Sequence, residues 1–182
     1  HKVKYFNEQT YGGIVSSRKP FGIESNFSKF VLSESKTHNI KLYKVGGVGF
    51  IEEKDVVSKK ELIDKIKVIV SKASPGDDTY PHKIISEPII ALPKSVCTET
   101  YLVIDILENE NQAKNLIKYM KTNFFRFMMS LVKNTQNITK GVFVFVPKLN
   151  MDEEWTDEKL YKKYKLKQDE IDFIATIVKK MD

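Results

Sequence analysis

The side chains most able to act as nucleophile, general base or metal ligand are few in this chain, and none stands at a working spacing. Cys97 is the sole cysteine and follows Ser95 and Val96, with His82 the nearest histidine in the sequence. A thiolate nucleophile needs a cationic or basic neighbour, and here a core thiol is the expected role. His1, His38 and His82 are scattered, so a structural zinc site, which needs ligands in paired spacing, is not expected. Glu34-Ser35-Lys36 and Glu52-Glu53-Lys54 match the short acid-x-lysine pattern of metal-dependent nucleases. Chance supplies such matches readily when 30% of residues are charged, so metal-dependent cleavage is the last of the expected readings. Gly46-Gly47-Val48-Gly49 is the one glycine cluster; it lacks the dinucleotide fingerprint spacing and no helix follows it directly. A hairpin turn is the expectation there.

What remains is chemistry that binds rather than reacts. Residues 71–83 combine Lys72, Tyr80, His82 and Lys83 with small residues. A second polar stretch holds Asn134, Thr135 and Gln136, flanked by Lys133 and Lys140. Amides and hydroxyls pair with base edges, and lysines with phosphates. Arg18 and Lys19 follow in rank, then Arg126, which needs a partner because it lies in an apolar helix. These are the candidate DNA-binding residues; the same stretches also suit ordinary solvated loops. No catalytic or metal residue is expected. The formal net charge of +6, from 30 basic and 24 acidic residues, is compatible with a polyanionic partner.

The chain's 182 residues suit one domain with a small appendage, drawn here as residues 1–150 and a helical extension over 151–182. One cysteine gives no disulfide framework within the chain, so a reducing cytoplasm is the expected compartment. No apolar run approaches membrane-spanning length, and no membrane partner is expected. The chain begins at His1 rather than Met, as expected of a piece cut from a larger protein.

The elements that must position these residues follow from periodicity. Residues 13–17 suggest a short strand and 40–51 a hairpin around Gly46-Gly47. Ser58, with Glu61 three residues on, signals a short helix to about residue 65. Strands are expected over 67–70, 84–91 and 99–107, the last the clearest. One long helix is expected from about 108 to 133, with apolar residues in steps of three and four. A strand over 141–146 and two tail helices, the first capped by Thr156 and the second spanning about 168–180, complete an α+β fold. Its sheet is mixed and mainly antiparallel, with one long central helix and C-terminal helices.

Residues 95–182 also carry a longer pattern. Its strings are Ser95-Val96-Cys97-Thr98-Glu99-Thr100-Tyr101-Leu102-Val103-Ile104, then Ala113-Lys114-Asn115-Leu116-Ile117, and Lys121-Thr122-Asn123-Phe124-Phe125-Arg126-Phe127. Lys133-Asn134-Thr135-Gln136, Val144-Phe145-Val146-Pro147 and Glu154-Trp155-Thr156-Asp157-Glu158-Lys159-Leu160-Tyr161 follow, then Asp169-Glu170-Ile171 and Phe173-Ile174. In order and spacing this resembles the C-terminal target-recognition region of bacterial type II restriction–modification adenine-specific DNA methyltransferases, with their TaqI-like specificity domain. Lys67–Lys72 and Pro81-His82 extend the resemblance more loosely. It implies a domain that reads duplex DNA and holds it while a target adenine is flipped into the methyltransferase domain of the parent chain. The Asn/Asp-Pro-Pro-aromatic tetrapeptide of amino-methyltransferases is absent, since no Pro-Pro pair occurs. The resemblance therefore places catalysis and S-adenosylmethionine in the parent protein, with no cofactor in this fragment. Whether the parent also cleaves DNA is left open. The alternative class is a protein-interaction domain that docks the methyltransferase or endonuclease part through an apolar face of the tail helices.

Overall fold

The structure, a computed structural model, describes residues 9–73, 81–133 and 137–181. Among them are two three-stranded sheets and four α-helices. The hairpin pairs β1 (Ile40–Lys44) with β2 (Gly47–Ile51), antiparallel, from Ile40 opposite Ile51 to Lys44 opposite Gly47. Val45 and Gly46 form the two-residue tip. Gly46 takes φ 79° and Gly47 φ 128°, a backbone that β-carbons resist. Gly49 serves a different need, because a Cβ there would meet the Phe30 ring at 2.7 Å. A strand not foreseen, β5 (Ser95–Cys97), lies parallel to the other side of β1; with β3 (Ile66–Ser71), β4 (Ile89–Ala91) and β6 (Tyr101–Leu107) the second sheet has the order β4-β3-β6, antiparallel throughout.

The second sheet is buried on both faces, which is why β3 and β6 read as near-continuous β-branched runs. Val68, Val70, Leu102 and Ile104 enter one core with Leu116, Met120, Phe125 and Phe143. Ile69, Val103 and Ala91 enter a second core with Leu42, Ile51, Val96 and Phe21. The β4-β3-β6 sheet thus lies between a helical layer and the β2-β1-β5 sheet.

The long helix is two: α1 (Glu110–Lys121) and α2 (Asn123–Ser130). Thr122 breaks the run with extended backbone, and its hydroxyl accepts the Phe125 N–H at 3.1 Å. Asp157 accepts the Asn123 and Phe124 N–H groups at 2.9 and 2.8 Å, so a residue of the tail finishes the cap. The tail helices α3 (Asp157–Lys163) and α4 (Gln168–Ile177) form as expected. Thr156 caps α3 by accepting the Lys159 N–H, and Glu170 accepts the Lys167 N–H at 2.8 Å to start α4. Leu160 and Val178 bury into the first core, which ties 151–181 to the rest of the chain.

Four expected elements differ. Residues 11–13 form a 3-10 turn in place of the strand over 13–17. Only Lys60–Leu62 is helical after Ser58, as a 3-10 turn preceded by Lys59 in the left-handed region at φ 53°. Strand β4 keeps only residues 89–91, since Ile84 takes φ 72° and Pro88 cannot donate to a ladder. The run over 141–146 is a 3-10 turn, Lys140–Phe143, followed by further turns.

Candidate nucleic-acid interface

Strand β3 ends at the site. Beyond Ser71 the ladder continues as Lys72 N–H to Thr100 O at 2.9 Å, and the Ile138 N–H donates to Lys72 O at 2.8 Å. Ala73 bridges Asn137. The flanks of the two stretches that sequence reading ranked first, 73–83 and 134–140, therefore meet. The N-terminal segment is drawn in beside them by a reciprocal pair: Ser16 N–H to Val103 O, and Val103 N–H to Ser16 Oγ, both 2.9 Å.

Between these segments opens a cleft of about 660 Å³, walled by Arg18, Lys72, Lys140, Glu99, Thr100 and Thr139, with the hairpin tip at Val45 on its margin. The Lys72 ammonium donates to Arg18 O at 2.7 Å. Burial pushes that ammonium below its ordinary range, partly opposed by Glu99. Arg18 Nε donates to Glu99 at 3.1 Å, with the arginine side chain 79% exposed and the glutamate only 13%. Ser25 N–H also donates to Glu99, at 3.3 Å. That bond lowers the carboxyl from its usual range, and Arg18 and Lys19 lower it further. Three cations against one carboxylate leave the described lining at a charge of plus two. Thr139 and Lys140 are exposed. On segments joined by backbone hydrogen bonds, the surface offers cationic and hydroxyl donors, the groups that hold a phosphate backbone.

The expected residues divide. Arg18, Lys72 and Lys140 converge on the cleft. Lys19 lies next along and pairs with Glu24. His82 and Lys83 do not join it: His82 N–H donates to Ile177 O and His82 O accepts from Lys179 N–H, so this segment clamps the tail. Lys133 is half-buried beyond α2 and does not line the cleft. Tyr80, Asn134, Thr135 and Gln136 lie outside the described residues. Arg126 must be reassigned. It is fully buried, and its guanidinium donates to the carbonyls of Thr122, Lys121, Lys83 and Lys179 and to Asn123 Oδ1. Burial pushes it down to about 10, so it stays charged at neutral pH. It holds α2 to two distant segments and cannot reach a ligand on the surface.

Sequence reading missed Glu99, Thr100, Ser16 and Ser25 as cleft residues. The one local sign was an acid and hydroxyls, Thr98-Glu99-Thr100, at the mouth of a strong strand.

The reactive alternatives find little here. Cys97 is 1% exposed, and burial pushes its thiol up to about 12, which removes it as a nucleophile. Glu52 is engaged by Lys54 at 2.9 Å. Among the described residues no group of three or more His, Cys, Asp or Glu could hold a metal ion, and no helix is long and apolar enough to cross a membrane. Against protein-family models and against curated proteins, the chain finds no match.

Proposed function

We propose that this chain is a DNA sequence-reading module, the target-recognition part of a bacterial adenine-specific DNA methyltransferase of a restriction–modification system, acting in the cytoplasm. The observation that supports it is the convergence of Arg18, Lys72 and Lys140, from three distant stretches of sequence, at the bridge between Ala73 and Asn137. In this reading Lys140, Lys72 and Arg18 hold duplex phosphates and so fix the register. The Asn137 amide and the hydroxyls of Thr100 and Thr139 then meet base edges. Chemistry belongs to the methyltransferase domain of the parent chain, which would bind S-adenosylmethionine and receive the flipped adenine. The chain's own part is to hold and orient the duplex.

The test is selection of bound duplexes from a random pool at low and at moderate salt. An enriched motif that survives moderate salt supports sequence reading. Binding that shows no motif and vanishes as salt rises is counterion-release attraction alone, and it would overturn the reading.

A further inference from the structure

Helices α2 and α4 meet through Phe127 and Phe173, whose rings lie edge to face with centroids 6.0 Å apart. Beside them opens a groove of about 380 Å³, lined by Phe127, Leu166, Phe173 and Ile174 and by the carboxylate-bearing Asp169 and Glu170. Ile174 is buried, but Phe173 is 57% exposed, and Leu131, one turn beyond Phe127, is 55% exposed. A half-exposed phenylalanine in the wall of a groove, beside Phe127, Leu166 and Ile174, fits an interaction site better than a lone surface residue. Bonds outside the groove tie its two helices together: Arg126 joins α2 to Lys179 O past the end of α4, and His82 fixes the same segment.

Charge decides what such a groove would take. Helix α4 carries Asp169, Glu170 and Asp172 and no lysine or arginine within Gln168–Ile177, in a chain whose net charge is +6; Lys165 and Lys167 flank Leu166 just before it but are not part of the groove lining. Asp169 stands one turn before Phe173, and Glu170 one turn before Ile174, so acid and apolar residue share each helical row. An anionic partner is repelled here. A cationic one meets two carboxylates in the lining, where no lysine or arginine stands among the described residues.

We propose that the groove between α2 and α4 docks a cationic amphipathic segment of a partner protein. An aliphatic or aromatic anchor would lie against Phe127 and Phe173, with lysine or arginine reaching Asp169 and Glu170. This inference does not depend on the DNA-reading proposal.

The experiment titrates the whole chain with a labelled amphipathic helical peptide of leucine and lysine, with a leucine–glutamate peptide of the same pattern as control. The lysine peptide is expected to bind and the glutamate peptide not. Phe173→Ala and Asp169→Asn should each weaken binding by about tenfold, the scale of one anchor contact. Leu32→Ala, at an apolar residue 79% exposed elsewhere, should leave it unchanged. Phe173 is exposed enough for its truncation to spare the fold, and unchanged duplex binding by Phe173→Ala would separate this site from the cleft. Absent binding, equal binding of both peptides, or binding that survives Phe173→Ala would overturn the proposal. So would self-association of the chain that Phe173→Ala abolishes, since a second copy would then be the occupant.

Discussion

Lys140 offers the sharpest test of the cleft, because it is exposed at the rim and opens the Lys140–Phe143 turn. In Lys140→Ala one phosphate contact is lost. Each contact to B-DNA contributes about 0.9 to the slope of log affinity against log salt. The line for the variant should therefore be shallower by about 0.9, with affinity down about fifteenfold near 50 mM salt and about fourfold near 200 mM. Glu99→Gln moves the other way. The glutamine carbonyl can still accept the Ser25 N–H that Glu99 accepts at 3.3 Å, while the charge that neutralises Arg18 is gone. Duplex affinity should rise, and the slope should steepen by up to about 0.9. Fluorescence anisotropy of a labelled duplex, titrated at several salt concentrations, reads both. Three parallel lines, or weaker binding by Glu99→Gln, would refute the reasoning and move any DNA contact elsewhere on the surface.

Two further substitutions test the interior. Arg126→Met withdraws donors from four carbonyls and Asn123 Oδ1. It should cost about 3 kcal/mol in urea unfolding, the scale of charged hydrogen bonds left unmade, and leave the salt slope of the folded protein untouched. Lys67 has no solvent exposure; its ammonium donates to Leu62 O, Ile63 O and Lys65 O, and burial pushes it down to about 8. Its folded value lies below its unfolded one, so above pH 8 the unfolded chain holds the proton longer and stability rises with pH. The gain should be about 1 kcal/mol between pH 8 and 9 and absent in Lys67→Met. Above pH 9 the buried Cys97 thiol, pushed up to about 12, acts in the opposite sense and bends the curve back.

The strands that sequence reading placed well are those whose pattern is settled locally. The β1–β2 hairpin follows from its alternation and its glycines, and β3 and β6 follow from runs apolar on both faces. The failures are places where a distant group decides. Thr122 carries a hydroxyl able to cap, but the apolar period runs straight through it, and its other half, Asp157, arrives from the tail. Ser58 looks like a cap, yet its hydroxyl donates to Pro20 O at 3.4 Å. Residues 141–146 have the composition of a strand. They turn because Tyr11 N–H already takes Val146 O at 2.9 Å and the backbone at Val144 approaches so closely that a Cβ on Gly12 would meet it at 2.8 Å. Strand propensity measures fit to a sheet surface, and here the Val146 carbonyl is met by the Tyr11 turn instead.

The same contrast separates the cationic residues. Arg18, Lys72 and Lys140 were legible as cations near polar loops, but their convergence rests on backbone bonds such as Ile138 N–H to Lys72 O, which no side-chain type announces. Arg126 was legible as an arginine needing a partner in an apolar helix. Its partners are almost all carbonyls, and carbonyls carry no sequence identity. Charge alone ranks Arg126 and Lys67 beside Lys140, whereas burial removes both from any surface role. Burial is set by packing between segments far apart in the chain, so side-chain type alone overcounts the binding residues of a lysine-rich protein. Stability and salt slope therefore divide the two classes: Arg126→Met should move the first and Lys140→Ala the second.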